Sequence, residues 1–182
     1  MTSQTSANWP AHAVVAITLC FGLFCALFVR QPGLASFADD SVSYLVMAQV
    51  FSPYQAASQA VAAAFAGEAF YPPLFPAVLA LAGAAHDIAW AHVLTALLLA
   101  AGLPLAYVLG RHWLDDRRQA AAAVLCIALL PALWVNAKGI LSEPLFCLLL
   151  LATLWVLEPG REDDGRVDGG RLWLLALLMA AL

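Results

Sequence analysis

The sequence predicts an all-α, polytopic membrane protein, and three observations carry that prediction. Of its 182 residues, 64% are apolar and only 11% charged, against roughly 25% charged in soluble domains. Mean hydropathy is +0.86. Uncharged or nearly uncharged runs of 18 to 22 residues recur along the chain, the length a helix needs to cross a bilayer core about 30 Å thick. All six tryptophans, Trp9, Trp90, Trp113, Trp134, Trp155 and Trp173, fall near the ends of these runs, where an indole sits at headgroup level with its N–H hydrated.

The first span runs from Ala11 to Val29, 19 residues without a charge. A secretory signal ending near Ser36-Phe37-Ala38 is the alternative, but the apolar stretch is long for one and no basic segment precedes it. Further spans are expected over Ile88–Leu109, Ala120–Ala137 and Ile140–Leu157, the last with Glu143 as its single charge. Residues 158–171 (EPGREDDGRVDGGR) read as a Gly-rich cytoplasmic connector. Residues 172–182 begin a span that the sequence does not complete, so the chain reads as an N-terminal fragment of one membrane domain.

Pro72 to Ala85 is apolar but only 14 residues long, with Pro72, Pro73 and Pro76 at its start. That length suits a re-entrant or interfacial helix. If it does not span and the N-terminus is cytoplasmic, Arg111, Arg117, Arg118, Arg161, Arg166 and Arg171 lie inside, and only Arg30 and Lys138 lie outside. If it spans, an N-terminus outside satisfies the same rule, so charge alone leaves both open; length favours the first. Residues 30–87 then form a long extracytoplasmic loop on the same face as the turn from Lys138 to Ser142. In that loop, Asp39 or Asp40 can cap a helix over Ser41–Phe51, stopped by Pro53, and Tyr54–Ala66 can form a second, interfacial helix ended by Gly67.

Composition also excludes functions. Net charge is −4, with eight Lys and Arg in all, too few to neutralise a row of phosphates, so nucleic acid is not a partner. Cys20, Cys25, Cys126 and Cys147 lie inside apolar runs without metal-ligand spacing and read as small hydrophobes. No phosphate-binding glycine loop and no internal repeat is present.

A few polar residues can carry chemistry. Asp39 and Asp40 are adjacent acids beside a membrane face, able to bind a divalent cation or act as a general base, although an Asp before a helix is most often a cap. Tyr44, four residues beyond Asp40, shares its helix face and can bond to it or to a ligand; otherwise it is an interfacial tyrosine. Glu143 lies near the outer end of an apolar run, where a carboxylate is a functional candidate by default. Its competing reading is a first-turn anion on the helix dipole, with Ser142 beside it, Pro144 tolerated there, and Lys138 within reach. His92 stands about one turn into its span, able to donate to a lipid phosphate or to bridge helices. His12, His86 and His112 sit at span ends as interfacial polar residues.

The strings Asp40-Ser41-Val42-Ser43-Tyr44-Leu45-Val46-Met47-Ala48, Tyr71-Pro72-Pro73-Leu74-Phe75-Pro76 and Leu141-Ser142-Glu143-Pro144-Leu145-Phe146 occur in that order. Over about Asp39 to Leu157 the chain resembles the GT-C integral-membrane glycosyltransferases, in the branch of the dolichyl-phosphate-mannose protein mannosyltransferases and lipid A aminoarabinose transferases. The resemblance implies transfer of a sugar from a polyprenyl-phosphate donor to a glycan, lipid or protein acceptor. The site would lie on the extracytoplasmic face of the cytoplasmic (inner) membrane.

It further implies an inverting displacement, with Asp40 as base or, with Asp39, as ligand of Mg2+ or Mn2+, and with Glu143 in the same cavity. Tyr44, Tyr71, Pro72, Pro73 and, at the donor phosphate, His92 would shape the lipid-linked donor groove. Relatives often carry Glu directly after the loop acid, where this chain has Ser41. The competing class is a non-catalytic membrane component, such as a carrier-lipid flippase or an assembly subunit, in which Asp40 and Glu143 are caps or gating groups.

Overall fold

A computed structural model describes residues 8–30, 39–66 and 71–157 and, beyond them, positions 170, 173, 174 and 176. The expected connector 158–171 and final run 172–182 lie outside the described residues apart from those four positions. Every described element is helical.

Helix α1 (Trp9–Val29, 21 residues) opens with Pro10 in its first turn, where the missing N–H costs nothing, and reaches about 32 Å. Helix α5 (Ile88–Trp113, 26 residues) is capped by Asp87, whose carboxylate accepts the Trp90 N–H at 3.0 Å. It runs a turn past the expected Leu109, through Arg111 and His112, cations that suit the negative end of the helix dipole. The two helices pack closely at Gly22, where a Cβ would lie 3.4 Å from that of Ala100. Along α1, Leu19, Leu23 and Leu27 are 66%, 63% and 68% exposed. An apolar helix face left uncovered at this length is a lipid-facing one.

The expected span 120–137 is instead two helices, α6 (Arg117–Leu129) and α7 (Pro131–Lys138), bent by 54°. Pro131 causes the break: it cannot donate to the preceding turn, and it holds Leu130 in an extended conformation at ψ 127°. The last expected span, from Ile140, begins only at α8 (Glu143–Leu157), 15 residues or about 22 Å. Two described helices, α1 and α5, are thus each long and apolar enough to cross a membrane, and the α6–α7 pair makes a third if the bent pair is one span. The chain has the character of an integral membrane protein.

Three shorter helices lie between α1 and α5. Helix α2 (Asp39–Phe51) starts at the two acids, which occupy its first turn instead of preceding it. Helix α3 (Gln59–Phe65) is shorter than the expected Tyr54–Ala66, because the Ser58 hydroxyl accepts the Val61 N–H and sets the start there. Tyr54, outside it, donates its hydroxyl to the Leu81 carbonyl. Helix α4 (Leu74–Leu81) has eight residues, about 12 Å, and cannot cross a bilayer core. Gly83 ends it at φ 73°, and the bonds Gly83 N–H to Ala80 and Ala84 N–H to Leu79 close the turn.

Two apolar clusters result. One joins α1, α5, α6 and α7 through residues such as Phe21, Leu99, Leu103 and Val124. The other joins α2, α4, the start of α5, Ile140 and α8 through Tyr44, Phe75, Leu79 and Leu145. The tryptophans divide accordingly: Trp134, read from sequence as a headgroup anchor, packs edge-on against Phe21 and Phe24 and donates its Nε1–H to the Ala128 carbonyl.

Candidate functional site

The three polar strings meet at one end of the bundle. Tyr44 of α2 and Ser142, just before α8, share a hydrogen bond of 2.8 Å across 98 residues of sequence. Tyr71, ahead of α4, donates its hydroxyl to Asp40 Oδ1 at 2.8 Å. The Tyr44 ring stands edge-on to both Tyr71 and Phe75, each centroid 5.2 Å away. Helix α2, Tyr71 and Ser142 therefore lie together in the folded chain.

Each side chain is placed by simple local causes. Tyr71 and Pro72 each precede a proline, which disfavours helix at both, while Pro73 already has helical angles (φ −77°, ψ −14°) and stands as the residue just before α4. Asp40 and Tyr44 are one helical turn apart, yet they do not bond to each other. The rigid phenol carries the Tyr44 hydroxyl past the short aspartate and across to Ser142, while Tyr71 reaches Asp40 from the other side. At 5% exposure Tyr44 is a core residue and not an interfacial one. Burial pushes its phenol pKa up from the ordinary value; the bond to Ser142 opposes this, and the carboxylates of Glu143 and Asp40 add to it. Both carboxylates thus act on one hydroxyl.

Glu143 is exposed and is the first residue of α8, so it sits at the helix end and not a turn inside it, where the dipole favours its charge. Lys138 is exposed at the end of α7, and no ion pair joins the two. Pro72 lines a small groove of about 60 Å³ between α4 and α8, with Leu74, Phe75, Ser142, Leu145, Phe146 and Leu149. Ser142 gives it a single hydroxyl. His92, expected at the donor phosphate, is 1% exposed and lines neither this groove nor the larger one at the α1–α5 end. The side chain of Asp39 lies outside the described residues.

Ser142 and Phe75 were not among the sequence candidates for this site. Ser142 stands before Glu143-Pro144, a pattern that reads as a helix cap, and nothing local reveals a partner 98 positions away. Phe75 reads as one more apolar residue of a short helix. Among the described residues no group of three His, Cys, Asp or Glu side chains comes together as a metal cage. No family model, no curated protein and no solved structure matches the chain.

Proposed function

We propose that the chain is part of a glycosyltransferase that uses a polyprenyl-phosphate-linked sugar and acts at the extracytoplasmic face of the cytoplasmic membrane, its N-terminus inside. The observation that carries this reading is the pair of hydrogen bonds Tyr71 to Asp40 and Tyr44 to Ser142. They gather the three strings that resemble the GT-C enzymes at one end of the bundle, beside a groove with the apolar lining a prenyl chain needs.

In the proposed step, the acceptor hydroxyl oxygen attacks the anomeric carbon of the sugar as the carbon–oxygen bond to the lipid phosphate breaks, inverting the centre. Asp40 takes the hydroxyl proton, and polyprenyl phosphate leaves. Tyr71 holds Oδ1, which leaves Oδ2 of Asp40 for the acceptor. Glu143, on the same end, adds to the negative potential that keeps the Tyr44 phenol protonated.

The test uses membranes containing the full-length protein of which the chain is part, supplied with polyprenyl-phosphate sugars, with release of polyprenyl phosphate as the readout. Asp40→Asn is expected to cut transfer by about 10²–10⁴-fold at unchanged protein level, the usual worth of a positioned base. Transfer unaltered by the substitution removes Asp40 from catalysis and favours a flippase or assembly subunit. Sidedness is tested separately, with a membrane-impermeant thiol reagent on single cysteines at Ala56 and Lys138 in a background without Cys20, Cys25, Cys126 and Cys147. Both are expected to react from outside; reaction at only one of them places the two segments on opposite faces.

A further inference from the structure

At the end of the bundle where α1 stops and α5 starts, an open groove of about 390 Å³ runs between them, lined by Ala26, Leu27, Arg30, Asp87, Trp90 and Val93. Its walls are graded. Arg30 and Asp87 flank the helix ends, Leu27 and Trp90 are each the third residue in, and the apolar Ala26 and Val93 lie deeper, fourth and sixth from the ends. That is the order of chemistries met on passing from hydrocarbon to headgroup.

Asp87 and Trp90 are held in place. Asp87 uses Oδ1 to cap the Trp90 N–H at 3.0 Å, and the Trp90 indole N–H donates to the Ala82 carbonyl at 2.9 Å, which holds the ring at the groove's edge. Arg30 and Asp87 line the same opening without pairing: among the described residues neither has an ion-pair partner within 4.0 Å. A ligand with only negative charge meets the Asp87 carboxylate, and one with only positive charge meets the Arg30 guanidinium. A headgroup that carries both signs, two carbons apart, satisfies both at once.

We propose that this groove binds a zwitterionic aminophospholipid, with its phosphate on Arg30, its primary ammonium on Asp87, its headgroup against Trp90 and the first part of an acyl chain along Leu27, Ala26 and Val93. A primary ammonium donates hydrogen bonds to a carboxylate, and a quaternary one cannot. The groove therefore distinguishes ethanolamine from choline headgroups. The site is separate from Asp40 and Tyr44 and does not depend on the transferase reading.

The test is native mass spectrometry of the purified chain in detergent, titrated with phosphatidylethanolamine, phosphatidylcholine and phosphatidylglycerol of identical acyl chains. Phosphatidylethanolamine is expected to occupy the protein about threefold or more above the other two, the discrimination that one partly exposed charge pair supplies. Asp87→Asn keeps a good N-cap, so the helix survives, and it should bring phosphatidylethanolamine down to the phosphatidylcholine level. Arg30→Gln should lower all three. Equal occupancy by the three lipids, a lead for phosphatidylglycerol or phosphatidylcholine, or a preference that survives both substitutions would overturn the proposal. The wild-type titration decides the headgroup question without any variant.

Discussion

The spanning bundle and the cap of short helices at its end are built from similar apolar amounts but by different means. In the bundle, α1, α5, α6 and α7 meet through Val14, Leu99, Leu103, Val124 and close-approach positions such as Gly22. No hydroxyl bond between helices is found there among the described residues: Thr95 bonds the Ala91 carbonyl of its own helix, and the Thr18 hydroxyl of α1 is buried without a partner. In the cap, Phe75 and Leu79 are equally buried, but tyrosines join elements that are far apart in sequence, Tyr44 to Ser142 and Tyr71 to Asp40. Apolar packing between helices tolerates sliding and has little hydrophobic driving force in lipid, whereas a directional bond fixes which residues meet. The cap is the part of the molecule where position is specified.

The largest test of that difference is a pair of truncations. Phe75→Ala is expected to cost about 3–5 kcal/mol, the usual loss for a buried aromatic, and to loosen the Tyr44 contact with it. Leu103→Ala in α5 should cost less in a lipid environment, because acyl chains already solvate leucine in the separated state. Reversible unfolding in mixed micelles measures both; equal losses would break the comparison.

A smaller effect sharpens it. Tyr44→Phe and Ser142→Ala are each expected to cost about 1 kcal/mol, and the double variant should cost less than their sum, because they share one bond. Strict additivity in the same unfolding assay would mean that the bond across 98 residues contributes nothing.

The smallest effect is in pH. The folded state raises the Tyr44 pKa, chiefly by burial, above its value in the unfolded chain. The stability this supplies is full below pH of about 10, the ordinary tyrosine value, and is lost as pH rises through the folded value. Thermal midpoints of the wild type should therefore fall faster in the alkaline range than those of Tyr44→Phe. Parallel curves would show that the phenol ionises as freely in the folded state as in the unfolded one.

Much of this architecture was legible in the residues. The uncharged runs located α1 and α5, and the short Pro-led segment located a helix too short to span, whereas Ser58, read as interior to a helix from Tyr54, caps α3 instead. The break at Pro131 was legible in principle, since proline inside an apolar run opposes a continuous helix; length alone hid it. The candidate site was half legible. Asp40, Tyr44, Tyr71 and Glu143 stand out as polar residues in apolar surroundings, but their pairing is not a property of spacing. Helical periodicity pointed Tyr44 at Asp40, and the structure sends it to Ser142. His92 shows the reverse case, a polar residue that looked available and is buried.

By itself, then, the sequence determined the solvent: a chain this apolar must place its helices in lipid, because backbone groups there are satisfied only within helices. It also determined where most helices start and stop, since caps and prolines act within a turn of where they stand. The tertiary structure alone decided which hydroxyl meets which carboxylate and that Arg30 and Asp87 line one groove without pairing. Those relations join residues tens of positions apart, and a hydrogen bond forms only once packing has brought its partners within about 3 Å.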